Sequence, residues 1–179
     1  VMENKYDELL AEGIQHGSTE DWRRAARTYR EAIARRPDAA VAYYNLGLVL
    51  RHLGCVVEAA HRCLEAYERA PVGTEGWAQA TAAAFQMLTQ EECREVAKPG
   101  WWNDGGLKAL SARVVRAAPN DDSANSMRAL VLLGEPAGTW EAGPRSAAEL
   151  REAATHFERG AALCTVPAHT AQRTDFANW

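Results

Sequence analysis

Apolar side chains recur along this chain with a helical period. From Tyr43 to Leu50, the residues Tyr43, Leu46, Gly47 and Leu50 fall at i, i+3, i+4 and i+7, which puts them on one face of a helix. Ala59, Cys63 and Ala66 do the same on a second helix. Pro71 is predicted to stop that helix, because proline lacks an amide hydrogen and clashes with the preceding turn. An earlier stretch reads the same way, with Leu9 and Gly13 on one helix, then Ala25, Tyr29 and Ala32 on another, ended by Pro37. Asp38 and Thr74 follow the two prolines and are predicted to cap the next helices. Gly17 is predicted to open an early loop. No run of alternating β-branched residues is long enough to predict a strand.

The two stretches are copies of one unit. A shift of 34 residues superposes Gly13 on Gly47, Ala25 on Ala59, Ala26 on Ala60, Glu31 on Glu65, Ala32 on Ala66, Arg35 on Arg69 and Pro37 on Pro71. The identities gather at small residues and proline, the positions where two helix backbones must approach or a helix must end. Trp77-x2-Ala80-Thr81 opens a third unit in register, but its closing proline is Pro119, so 91–104 reads as an insert before a second helix at about Gly106–Ala118. A fourth unit opens near Asp122 with Ala129 in the small slot. Its second helix carries Ala153-x3-Phe157 and Gly160, after a second insert at 135–146. Pro167–Trp179 is expected to form a terminal capping helix.

The pattern Tyr43-x2-Leu46-Gly47-x2-Leu50 … Ala59-x3-Cys63 … Pro71 resembles the tetratricopeptide repeat family, strongly over 6–71 and with insertions beyond. The resemblance implies an all-α fold, a right-handed α-solenoid of antiparallel helix pairs. The units run 6–39, 40–73, 74–120 and 121–166, with the terminal helix at 167–179. It also implies a protein-interaction scaffold that takes a hydrophobic helix or extended peptide in a concave groove or along an insert-bearing edge. A regulatory or substrate-docking module of a larger enzyme is the alternative. The repeat register turns Leu10, Ile14, Val41, Tyr44, Asn45, Leu48, Glu75, Ala78, Ala82 and Phe85 toward that groove, which makes it apolar and weakly acidic. Some members of the family clamp a C-terminal carboxylate with lysine, asparagine and arginine. At the matching places this chain has Leu10, Ile14, Asn45, Glu75 and Gln79, of which only Asn45 fits, so chaperone-tail binding does not carry over.

The inserts hold large aromatics beside turn residues: Trp101 and Trp102 next to Pro99-Gly100, and Trp140 amid Gly138, Gly143 and Pro144. Inserts at equivalent places of neighbouring units should lie side by side. Either their tryptophans form a composite partner site, or they plug the edge of the solenoid, or the inserts merely lengthen the flanking helices.

Charge and composition narrow the function further. Net charge is −4 and the chain is rich in alanine, with 47% hydrophobic and 25% charged residues, which suits a folded helical protein without a bulk pull toward nucleic acid. The arginines Arg23, Arg24, Arg27, Arg30, Arg35 and Arg36 read as a solvated outer face with acidic neighbours. The uncharged runs Ala39–Leu50 and Ala78–Gln90 fall far short of the ~20 apolar residues that span a bilayer. Cys55, Cys63, Cys93 and Cys164 form no CxxC pair and read as reduced thiols of a cytoplasmic or nuclear compartment. His52, Cys55, His61 and Cys63 cluster in sequence, yet the register points Cys63 inward and His61 elsewhere, so no metal is expected. No nucleophile elbow, phosphate loop or HExxH is present, and neither an enzyme nor a cofactor is expected.

Overall fold

A computed structural model describes residues 2–136 and 138–164; the capping helix expected at 167–179 lies outside the described residues. Among them the chain forms eight α-helices, one 3₁₀ turn at Glu91–Cys93 and no strand. The helices are α1 Met2–Ser18, α2 Trp22–Arg35, α3 Ala40–His52, α4 Val56–Arg69, α5 Glu75–Leu88, α6 Asp104–Ala117, α7 Asp122–Leu133 and α8 Ala147–Cys164. Consecutive helices pack against one another along the whole series, the arrangement of a helical-repeat solenoid.

The local chemistry explains where the helices begin and end. Asp21, Thr74, Asn103 and Asp121 each accept the backbone amide three residues on, at Arg24, Trp77, Gly106 and Ala124. Pro37, Pro71 and Pro119 each stand two residues beyond a helix end. Asp38 does not cap α3: that place is taken by Ala39, which makes no side-chain cap hydrogen bond. Nor does Gly17 open a loop, because α1 runs through it to Ser18, and the turn comes at Glu20 with φ 58°. Gly134 ends α7 in the left-handed region, φ 78°, where glycine bears no Cβ penalty.

Within a pair the backbones approach closely at the small residues. A Cβ on Gly47 would stand 2.6 Å from Cys63 Sγ and 3.3 Å from the Ala59 carbonyl oxygen, so α3 and α4 touch there without room for a side chain. Gly13 meets the Tyr29 ring in the same way between α1 and α2. Successive pairs are tied at the proline turn. The Pro37 carbonyl accepts from Tyr43 Oη at 3.0 Å and from Arg69 Nε at 2.9 Å, and the Arg69 guanidinium lies 4.2 Å from the centre of the Tyr43 ring.

The two largest parts of the core lie around Leu46, Leu50, Ala59 and Cys63 and around Trp77, Phe85, Leu107, Val114 and Met127. Helix α5 joins them and is buried nearly all round, from Gly76 to Phe85 without a break. A helix buried on every side has no free face, and that decides the character of the surface beside it.

Candidate functional site

The first helices of the first three pairs, α1, α3 and α5, carry the groove positions expected from the repeat register. Leu10, Ile14, Val41, Tyr44 and Leu48 remain half-buried on α1 and α3, and Glu75 is exposed at the start of α5. They form an apolar strip with an acidic end. The remaining four are enclosed. Asn45, Ala78, Ala82 and Phe85 have no exposed surface at all. Asn45 turns toward the Tyr29 hydroxyl between α2 and α3, whose pKa is pushed up by its own burial and drawn down by that neighbour. Gln79, on the same helix as Ala78, is also buried.

The second insert closes the surface over α5. The Phe85 ring has Trp102 at 5.6 Å and Trp140 at 6.0 Å, centre to centre, and Ala78 and Ala82 belong to the same cluster. Trp102 and Trp140 meet edge to face at 6.0 Å, and Trp101 joins through Trp102 at 5.6 Å and Tyr67 at 5.8 Å. The Trp102 indole N–H donates to the Thr139 carbonyl at 2.7 Å, so the connections from α5 to α6 and from α7 to α8 bind each other directly. Trp140 is only 8% exposed, and Trp101 and Trp102 are half-buried. Trp140 and Trp102 pack on each other and on Phe85 as a plug would, while Trp101 and Trp102 keep part of their surface exposed.

Charges hold the plug in place. Arg145, half-buried at the end of the second insert, reaches Asp104 Oδ1 at 2.6 Å and the Val131 carbonyl at 3.1 Å. Lys108 bridges Asp104 at 3.3 Å and Glu149 at 2.7 Å. Ser146 and Glu149 form a capping box at the start of α8: Ser146 N donates to Glu149 Oε2 at 2.8 Å and Glu149 N to Ser146 Oγ at 3.2 Å. The hydrogen bond from Arg145, helped by Lys108, holds the Asp104 carboxyl at about 2, and Lys108 and Ser146 hold Glu149 at about 2. Both values lie below the ordinary 3.8 and 4.5, so this clamp stabilises the fold above those values and is lost as pH falls toward 2. Urea melts on the acid side should therefore show a falling midpoint over that window, and Asp104→Asn should flatten the fall. A midpoint with the same acid slope in the variant would remove Asp104 from the clamp.

A cleft of about 430 Å³ opens where the inserts meet the end of α5, between Thr89, Arg94, Lys98 and Thr139. Its cations are already engaged: Arg94 pairs with Glu91 at 2.8 Å, and Lys98 Nζ donates to the Val96 carbonyl at 3.1 Å as well as to that of Cys93.

The remaining reactive side chains are placed for packing. Burial pushes the Cys63 thiol up to about 12, so it stays protonated against Gly47, while His61 is exposed on the opposite side of α4. Among the described residues no three His, Cys, Asp or Glu side chains stand together as metal ligands. On α2, Arg24 pairs with Asp21 at 3.4 Å, Arg27 with Glu31 at 3.5 Å and Arg30 with Glu58 at 3.0 Å, while Arg36 lies over the Tyr6 ring. The row of arginines is thus largely balanced by carboxylates. No helix among the described residues is long and apolar enough to cross a membrane.

The comparisons agree with the first two helix pairs. No curated protein matches the chain. A family model described as tetratricopeptide repeat matches residues 10–73, from the middle of α1 to the turn before α5. That stretch holds both full copies of the repeat-closing proline and both close helix crossings, at Gly13 and Gly47. Over residues 10–73, the chain is similar to the tetratricopeptide repeat family.

Proposed function

We propose that this protein is a non-catalytic scaffold of the cytoplasm that holds a hydrophobic helix or extended segment of a protein partner against α1 and α3. Tetratricopeptide repeats mediate protein–protein interaction. The observation that carries the finer reading is the asymmetry of the groove. Leu10, Ile14, Tyr44 and Leu48 keep exposed apolar surface, while their equivalents on α5, Ala78 and Ala82, are buried in the cluster that holds Phe85 and Trp140. A ligand is then read by the first two repeats and stopped by the plug, with Glu75 at the boundary favouring a partner that brings a cation there. The strip offers no lysine or arginine to grip a terminal carboxylate, so an acidic chaperone-type tail is not the ligand.

Affinity capture with the full chain tests this, alongside Leu48→Glu and, as a control on the outer face, Arg24→Ala. A partner held by the wild type and the control but weakened about tenfold or more by Leu48→Glu supports the groove. Capture that survives Leu48→Glu, or calorimetric binding of an acidic C-terminal peptide, overturns it.

A further inference from the structure

Helix α8 has a free apolar face whose flanking charges say what fits it. One side of the helix is pinned to α7: Ala153 and Gly160 are buried there, Arg128 pairs with Glu152 at 2.8 Å, His156 Nδ1 meets Asn125 Oδ1 at 2.8 Å, and Arg159 reaches Asn120 at 3.1 Å. These contacts fix the rotation of the helix about its axis. On the side they leave open, Leu150, Ala154, Phe157 and Ala161 follow one another at i, i+4, i+7 and i+11, and all four are exposed. Leu150 is 44% and Phe157 39% exposed, which makes this the one place among the described residues where two large apolar side chains stand exposed on one helix stripe.

Arg151 and Glu158 lie along the same edge of this stripe, one turn-pair apart, both exposed and without an ion-pair partner among the described residues. Two helices packed antiparallel about a twofold axis bring like edges together. With the axis at Ala154, Leu150 of one copy meets Phe157 of the other and Ala154 meets Ala154, and each Arg151 faces a Glu158 across the axis. Leu150, Ala154, Phe157, Arg151 and Glu158 then each find a complement from the same list, and Ala161 falls opposite Ala147 at the start of the helix. In a parallel pair this edge would instead meet the edge occupied by α7, so that pairing is closed. Ala154 and Ala161 are small, which lets the two backbones come close enough for Leu150 and Phe157 to interdigitate.

We propose that this face of α8 is a twofold contact between two copies of the chain, with their α8 helices antiparallel. The contact stretch from Leu150 to Ala161 is only about 17 Å long, so the interface is smaller than the ~800 Å² per partner of a standard one, and the dimer is weak and concentration-dependent. It is independent of the groove: it uses the opposite end of the chain, and a dimer formed here leaves α1 and α3 free for a partner.

Sedimentation equilibrium of the full chain over a wide concentration range tests the proposal. The expected result is a mass rising from monomer toward dimer, and Phe157→Glu holding the chain monomeric throughout. Arg151→Glu alone and Glu158→Arg alone each set like charges opposite one another and should weaken association by about tenfold. An equimolar mixture of those two variants should recover it, because the glutamates of one chain then face the arginines of the other. Both variants are surface changes that leave the α7 contacts intact, so loss of folding does not enter. A wild-type chain that stays monomeric to millimolar concentration overturns the proposal, which is what residues 165–179 lying along the stripe would produce. Association that the two charge variants and their mixture leave unchanged overturns it as well.

Discussion

Trp140→Ala is expected to destabilise the fold by about 3–5 kcal/mol, the range for deleting a large buried aromatic side chain where the surroundings close in only partly. Trp140 is 8% exposed and sits 6.0 Å from both Phe85 and Trp102, so its removal strips a wall from each. Collapse into the space is restricted, because the insert is held at Arg145 by Asp104 and at Thr139 by Trp102. The second consequence is at the surface. Without the plug, Phe85, Ala82 and Ala78 become accessible, and the strip on α1 and α3 is extended along α5. Urea melts give the first effect, and acrylamide quenching of the remaining tryptophans gives the second, as an increase. A loss of less than about 0.5 kcal/mol, the range of an ordinary surface substitution, would mean the insert is not packed as described.

Gly47→Leu is expected to cost about 3 kcal/mol or more, at the upper end of overpacking effects. The first added carbon alone would lie 2.6 Å from Cys63 Sγ and 3.3 Å from the Ala59 carbonyl, and the second of these is backbone that cannot swing aside. The helix pair would have to separate, exposing Leu46 and Leu50. Arg24→Ala, whose partner Asp21 is a solvent-exposed ion pair, should stay within about 0.5 kcal/mol in the same melts. Because part of the clash is with a side chain, Gly47→Ala combined with Cys63→Ala should cost less than the sum of the two single changes. Equal costs for Gly47→Leu and Arg24→Ala would mean that α3 and α4 do not cross at this residue.

The crossing at Gly47 could be read in advance because it depends on a local rule. A helix repeats every 3.6 residues, so spacing alone assigns Tyr43, Leu46, Gly47 and Leu50 to one face, and a small residue recurring with its partner alanine one period later marks a close approach. The proline stops at Pro37, Pro71 and Pro119 and the cap at Thr74 are local in the same sense. Asp38 shows where the rule is weak: two neighbouring residues can both stand at a helix start, and the backbone chose Ala39. The capping box Ser146-x-x-Glu149 is a local signal too, and it would have placed the start of α8 directly.

The groove on α5 was not legible in this way. Ala78 and Ala82 occupy the same register as Tyr44 and Leu48 one period earlier; the uncharged, alanine-rich run Ala78–Gln90 signals a helix buried all round, but not which segment covers it. Over Phe85 the cover is Trp102 and Trp140, the second far along the chain and brought back by an insert whose own glycines and prolines predict only a turn. By itself, then, the sequence determined the repeat, the helix faces and the crossings, since each follows from the period of a single helix or a pair. The tertiary structure alone decided which part of the groove stays open and which edge of α8 stays bare, because burial on the outside of a helix pair depends on what a distant segment lays over it.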